Sequence, residues 1–257
     1  MPVAFGSWKT LVNPNVTCAI IVPSYNETLA LPEMLIELEV GLTATDAVIV
    51  MDDSPETIAT EVNFACGQVF KESSASYFFI NHQGKSGRGS AVRRGMDQAR
   101  AIFPSLKFVI ECDADGSHRP IDILRVKHSE IEADLLVGSR YLPDSKIQGW
   151  PISRKLFSRA LNFIIPRLLH LELRDITNGL RRYSIDAVNE IISQNQVNRG
   201  FIYLSEQALV VKKRGLSIEE LPIVFIDRKQ GSSTVTWREV VASIRGVIGL
   251  VTLKAKD

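Results

Sequence analysis

Five short, β-branched apolar runs, each cut off by a polar or turn-forming cluster, do most to limit how this chain can fold. They are "TCAIIVP" (17–23), "AVIVMDD" (47–53), "YFFIN" (77–81), "KFVIECD" (107–113) and "DLLVGS" (134–139). A strand with one wet face alternates polar and apolar residues. These runs do not alternate, which marks strands buried on both faces, as in a parallel sheet. Helical periodicity is expected between them over 27–40, 86–102 and 120–132, the last opening at Pro120. The alternation predicts βαβ units, hence an α/β fold with a mostly parallel central sheet flanked by helices.

Beyond Gly149 the pattern turns helical in "WPISRKLFSRALNFIIPRLLH", where Pro166 is expected to kink or end the helix. "DITNGLRRYS" follows, then helices near 184–195 and 203–214, a late strand in "SIEELPIVFID" and a basic, Ser/Thr-rich tail. The expected division is one domain over 1–234 and a helical tail over 235–257. A formal net charge of +1 gives no global case for nucleic acid as a partner. Three cysteines (Cys18, Cys66 and Cys112) form no CxxC pair, and their odd count reads as buried thiols in a reducing compartment. The N-terminal residues lack the basic and apolar regions of a secretory signal. The apolar stretch "VTWREVVASIRGVIGLVTL" is interrupted by Arg238, Glu239 and Arg245, so no spanning helix is expected. These features point to a cytoplasmic protein, at most peripheral on the cytoplasmic face of a membrane.

Ligands of open parallel sheets bind beyond the carboxyl ends of the strands, and here those ends carry "PSYNE", "DDSPE", "NHQGKSGRG", "DADGSH" and "GSRY". Asp113 and Asp115 follow the fourth run. Hard carboxylate oxygens at a sheet edge suit Mg²⁺ or Mn²⁺, whose coordination shells substrate phosphates commonly complete. Taken alone, such a pair is more often a solvated turn with capping aspartates; its place after a buried strand, with four other polar clusters on the same edge, favours the metal reading. Tyr25, Asn26 and Glu27 offer a ring and polar groups to a base or ribose, and Asp53 offers an acceptor; ordinary capped turns are the alternative for both segments. "GKSGRGSAVRRG" lacks the glycine spacing of the common phosphate loops, yet Lys85, Arg88 and the start of a helix would favour an anion. Arg140 and Arg228 follow later strand ends, where a guanidinium fork suits phosphate oxygens. His82 and His118 have no partner at ligand spacing and stay outside the metal set.

In order along the chain, "PSYNE", "DDSPE", "GKSGRGSA", "DADGSHRP", "GSRY", "SRALN", "DITNGLRRY" and "RKQGSS" resemble the motifs of family 2 GT-A glycosyltransferases, most closely the dolichyl-phosphate (polyprenyl-phosphate) mannose synthases. The likeness runs from Cys18 to Thr234. It implies a GT-A fold and inverting transfer of one sugar from a nucleotide-diphospho-sugar such as GDP-mannose or a UDP-hexose. It also implies that Pro23, Tyr25, Glu27, Met51 and Asp53 surround the nucleoside and that Asp113, Ala114 and Asp115 meet the diphosphate. Asp113, Asp115 and Ser117 would hold Mg²⁺ or Mn²⁺, and Arg140 and Arg228 would hold phosphate, with Asp115, Arg140 and Arg228 carrying the catalysis.

Three positions depart from that family pattern. Ser117 stands where Gln is common, and Ser233 and Thr234 stand where the basic motif usually ends in Ser-Lys. The loop after Asp53 is one residue shorter, which leaves GDP and UDP both open. The implied acceptor is a polyprenyl phosphate, whose phosphate is largely ionised at neutral pH and needs no strong base. A hydroxyl acceptor is the alternative, with Asp175 or Glu206 as base; a non-catalytic nucleotide-sugar-binding protein is a further one. Residues 151–170 combine Arg154, Lys155, Arg159 and Arg167 with Phe157, Leu161, Ile164, Ile165, Leu168 and Leu169, the make-up of a helix lying at a membrane interface. Packing of that helix on the domain is its alternative.

Overall fold

Four of the five apolar runs are buried on both faces as expected, whereas the run at 77–81 forms an edge strand in which Phe78 alone is buried. The computed structural model describes residues 13–194 and 202–227. Strands β1 (Cys18–Ser24), β2 (Asp46–Asp52), β3 (Ser76–Asn81) and β4 (Phe108–Glu111) lie parallel, in the order β3-β2-β1-β4. The chain winds outward from β1 to β3, then returns to place β4 on the other side of β1. The carboxyl ends of β1 and β4 therefore flank the point where the winding reverses, the crevice in which such sheets bind ligands.

Side chains alternate between two cores. Ile21, Ile49 and Met51 face α3 (Arg88–Ile102), α6 (Ile185–Ser193) and α7 (Tyr203–Lys213); Ile20, Val22, Val48 and Val50 face α1 (Ala30–Glu39), α2 (Glu56–Val69) and α4 (Pro120–Lys127). Gly95 lets α3 lie close against the sheet, because a Cβ there would meet the Ile21 side chain at 2.5 Å. All three cysteines are buried and unbridged.

The second half of the sheet is mixed. β7 (Arg181–Ser184) runs antiparallel between β4 and β5 (Leu135–Ser139), and β8 (Ile218–Pro222) adds parallel to β5. Sequence periodicity did not identify β7, because "LRRYS" contains two arginines. Both are buried: Arg181 donates to the carbonyls of Asn178, Leu204 and Ile176, and Arg182 to those of Val126, Ser129 and Ile131. The late strand divides at Pro222, and β9 (Val224–Ile226) pairs instead with β6 (Lys146–Gln148) in a small second sheet. Helix α5 (Ile152–Leu169) passes through Pro166 and ends only at His170, in the left-handed conformation, so of the two effects expected of Pro166, a kink or an end, the end does not occur there. Among the described residues, no helix is long and apolar enough to cross a membrane.

Candidate active site

The polar ends of the first four strands meet on one edge. Ser24 lies in register with Asp52, the Asp53 amide donates to the Ser24 carbonyl, and the Cys112 amide donates to Ile21, which brings Asp113 beside the end of β1. Asn26 takes a positive φ of 60° and donates its amide to Ser54 Oγ at 2.8 Å, pinning the Tyr25 loop to the end of β2. Tyr25 is left 40% exposed with Lys85 Nζ 5.1 Å from its ring centre, and Glu27 is half-buried in the same loop.

Met51 and Asp53, both expected around the nucleoside, are otherwise occupied. Met51 is 1% exposed, and its side chain lies in the core beneath Gly95, so it presents no group to the edge. Pro23, in register with it, is half-buried within β1. Asp53 accepts from the Ser86 amide and hydroxyl at 2.8 and 2.7 Å and from Arg94 at 2.9 Å. Its carboxylate shapes the 84–87 turn, a role that the sequence reading had not given it.

Around the carboxylate pair the contacts are specific. Asp113 receives Arg88 Nη2 at 2.8 Å, and its backbone amide donates to His118 Nδ1 at 3.0 Å. Because Nδ1 accepts, the buried His118 ring carries its proton on Nε2, which donates to Asn178 Oδ1 at 2.8 Å. His118 is thus a strut between "DADGSH" and "DITNG", with no lone pair left for a metal. Burial by itself would raise the Asp113 carboxyl, but Arg88 above all, with Arg140 nearby, holds it below the usual carboxylate range. Ala114 is buried, and Asp115 Oδ1 accepts from the Ser117 amide at 3.0 Å in a tight side-chain-capped turn.

Arg140 departs from expectation. It lies at the edge, but its Nε and Nη2 clasp Asp175 at 2.7 and 2.8 Å, its amide donates to the same carboxylate at 2.9 Å, and Nη2 also reaches Thr177 Oγ1. The guanidinium packs on Trp150 and Phe225, each 5.2 Å away. Arg140 is 8% exposed and Asp175 fully buried. Burial would raise the Asp175 carboxyl, yet Arg140 holds it well below the ordinary range. A carboxylate so enclosed and already clasped by a guanidinium is a poor general base, which argues against Asp175 in that role and gives Arg140 a buried partner at the edge. Glu206, the other base candidate, lies in the first turn of α7. Arg88, read as a surface cation for an anion, turns inward. Arg228 and the Ser/Thr tail lie outside the described residues.

Among the described residues, no cluster of three His, Cys, Asp or Glu side chains could hold a metal ion. The donor chemistry nevertheless fits Mg²⁺ or Mn²⁺ brought in with a diphosphate. Asp113 and Asp115 supply hard oxygens, and the buried Ser117 Oγ beside them has no hydrogen-bond partner.

The sequence pattern described as Glycosyl transferase family 2 matches residues 19–192, well over half of the 257 residues. The chain belongs to glycosyl transferase family 2. Relatives of this family 2 chain include an undecaprenyl-phosphate mannosyltransferase of Micrococcus luteus, 30% identical over 220 residues (84% of this chain, 86% of the relative). A polyprenol monophosphomannose synthase of Mycolicibacterium smegmatis is 28% identical over 235 residues (90% and 85%). Among solved structures, glucosyl-3-phosphoglycerate synthase from Mycobacterium tuberculosis, in complex with Mn²⁺, UDP-glucose and phosphoglyceric acid, superposes with a TM-score of 0.62 at 15% identity, covering 92% of this chain and 78% of that one. At that identity the superposition establishes the GT-A architecture of the family 2 chain, as its sequence had implied.

Proposed function

We propose that this family 2 glycosyltransferase moves one hexose, with mannose the first choice, from a nucleoside-diphospho-sugar to a polyprenyl phosphate in a reaction that depends on Mg²⁺ or Mn²⁺. The observation that carries the reading is the near full-length similarity to two enzymes named for polyprenyl-phosphate mannose transfer. The site supports it. Asp113 and Asp115 would hold the metal at the winding reversal, where it would neutralise charge developing on the departing nucleoside diphosphate. Arg88 keeps Asp113 ionised for that task. Asp175, locked by Arg140, leaves the base role, which favours an acceptor that arrives already negative over a sugar hydroxyl. The test is radiolabelled transfer from GDP-mannose and UDP-hexoses, with metal, to a short-chain polyprenyl phosphate and to free sugar hydroxyls. Efficient hydroxyl glycosylation with no lipid-linked product would overturn the assignment.

A lipid acceptor implies contact with a membrane, and α5 offers a surface for it. Ile152, Leu156, Phe157, Phe163, Ile164 and Leu168 are 47–76% exposed, while Asn162, Ile165, Pro166 and Leu169 face the domain. Arg154, expected among the membrane cations, instead stacks on Trp150 at 4.1 Å and pairs with Asp227 at 2.9 Å. The headgroup cations are then Lys155, Arg159 and Arg167. At roughly 1 kcal/mol per cation, neutralising Lys155 and Arg159 should weaken co-sedimentation with anionic liposomes about thirtyfold at low salt. Phe163→Ser with Ile164→Ser should weaken it at high salt as well, because the apolar part of binding is not screened. Equal binding by all variants would exclude α5 as the contact.

A further inference from the structure

Arg88 is the first residue of α3, following Gly87 at a φ of 91°, and its side chain is only 15% exposed. One guanidinium meets four groups there. Nη2 lies 2.8 Å from Asp113 Oδ1 and 3.3 Å from the Gly179 carbonyl, Nη1 lies 3.3 Å from Glu111 Oε1, and Nη1 also contacts the Tyr203 hydroxyl. The Tyr203 hydroxyl in turn bonds Glu111 Oε1 at 3.1 Å, and the Tyr203 ring lies under the guanidinium at 5.6 Å. Gly179 makes the room: a Cβ at that position would sit 2.4 Å from Arg88 Nη2. Three sequence clusters, "GKSGRGSA", "DADGSH" and "DITNG", therefore converge on one side chain. Its two anionic partners differ. Glu111 is fully buried within β4, whereas the Asp113 side chain is 29% exposed and faces the ligand crevice.

A buried carboxylate is costly unless it is paired, so Glu111, with the Tyr203 hydroxyl and the Gly179 carbonyl, ties the guanidinium to the interior, while the shorter of its two carboxylate contacts, at 2.8 Å, goes to the crevice-facing Asp113. With the cation fixed by Glu111, Tyr203 and Gly179, the remaining donor sets the orientation of Asp113. We propose that Arg88, anchored by Glu111 and Tyr203, is a positioning residue that fixes the Asp113 carboxylate for the donor diphosphate and its divalent cation. It reaches neither the sugar nor the acceptor. It acts by removing the rotational freedom of Asp113 before ligand arrives, so its loss falls on donor binding more than on turnover.

This inference rests on the donor-binding role of Asp113. The experiment uses the full chain and titrates GDP and UDP, each with Mn²⁺, by calorimetry, alongside thermal unfolding and donor kinetics. Arg88→Leu alone would leave Glu111 buried without its cation, so it should both unfold earlier and bind weakly. The deciding variant is Arg88→Leu/Glu111→Leu/Tyr203→Phe, which replaces the whole polar group by apolar side chains. It should regain most of the unfolding temperature yet bind Mn²⁺–nucleotide about tenfold or more weaker, with donor KM raised by a similar factor and kcat changed far less. Arg88→Lys, whose single ammonium cannot serve both carboxylates, should stay folded and bind severalfold more weakly, and it decides the matter if the triple variant does not fold. Wild-type affinity in the folded triple variant, or in Arg88→Lys, would overturn the positioning role. A wild-type protein that binds neither nucleotide with Mn²⁺ would instead overturn the donor-binding reading, and the inference with it.

Discussion

Arg140→Met is expected to cost about 3–5 kcal/mol of folding stability, because it strands the Asp175 carboxylate in a site with no exposure to water. For a chain of this length that is a fall of roughly 10 °C in unfolding temperature. Asp175→Asn should do comparable damage from the other side, leaving a guanidinium that is 8% exposed without the carboxylate charge that pairs it. Arg140→Met/Asp175→Leu removes both charges and should recover most of the loss, as apolar replacements of buried pairs commonly do. The sign of the pH effect follows from Asp175. Its carboxyl is held below the ordinary range in the folded chain, so the unfolded chain takes up the proton first as pH falls. The contribution of the pair is fully present above about pH 4 and is lost as pH drops further through the folded value. The double variant should lack that part of the acid limb. Calorimetric unfolding of the four proteins between neutral and acid pH makes the measurement. An Arg140→Met protein with wild-type stability and a selective loss of nucleotide affinity would restore the phosphate-binding role that its position after β5 had suggested.

The case of Arg140 shows where a one-dimensional reading stops. Strand ends were legible because a strand buried on both faces must be continuously apolar, and the first polar residue after it must be at the edge. That logic located Tyr25, Asp53, Asp113, Asp115 and Arg140 correctly along the chain. It could not say which way each side chain turns, since direction depends on partners distant in sequence: Asp175 for Arg140, Ser86 and Arg94 for Asp53, Glu111 for Arg88. Met51, which the family resemblance alone had put at the nucleoside, turns into the core, because a residue at a strand end can still point inward. One clue was available. Glu111 is a charge inside "KFVIEC", and a charge inside a doubly buried strand requires a buried counter-ion. Strand β7 was missed because two arginines disguised a central strand, and both are accommodated by donating to backbone carbonyls.

Asp115→Ala carries the largest expected effect on activity. The Asp115 side chain accepts a backbone bond from Ser117 at 3.0 Å, and the loss of such a bond at a sheet edge costs about 1 kcal/mol of stability. In the proposed reaction it holds the cation that offsets charge on the leaving diphosphate, and deleting a preorganised stabiliser of developing charge typically costs about a hundredfold to a thousandfold in turnover. Binding and chemistry should therefore separate from folding: near-native circular dichroism and unfolding temperature, loss of Mn²⁺-dependent nucleotide affinity, and transfer reduced at least a hundredfold. Asp115→Asn sharpens the test. It keeps an acceptor for the Ser117 amide and nearly the same volume but removes the charge, so it should fold like the wild type and fail like alanine if the charge is what matters. Treating the wild type with excess EDTA should reproduce the failure, and Mg²⁺ or Mn²⁺ should reverse it. Should Asp115→Asn turn over normally, or the wild type work in EDTA, the carboxylate would be no more than the cap of a turn, and charge compensation for the leaving group would have to come from cations alone, with Lys85 and Arg228 the first to be replaced.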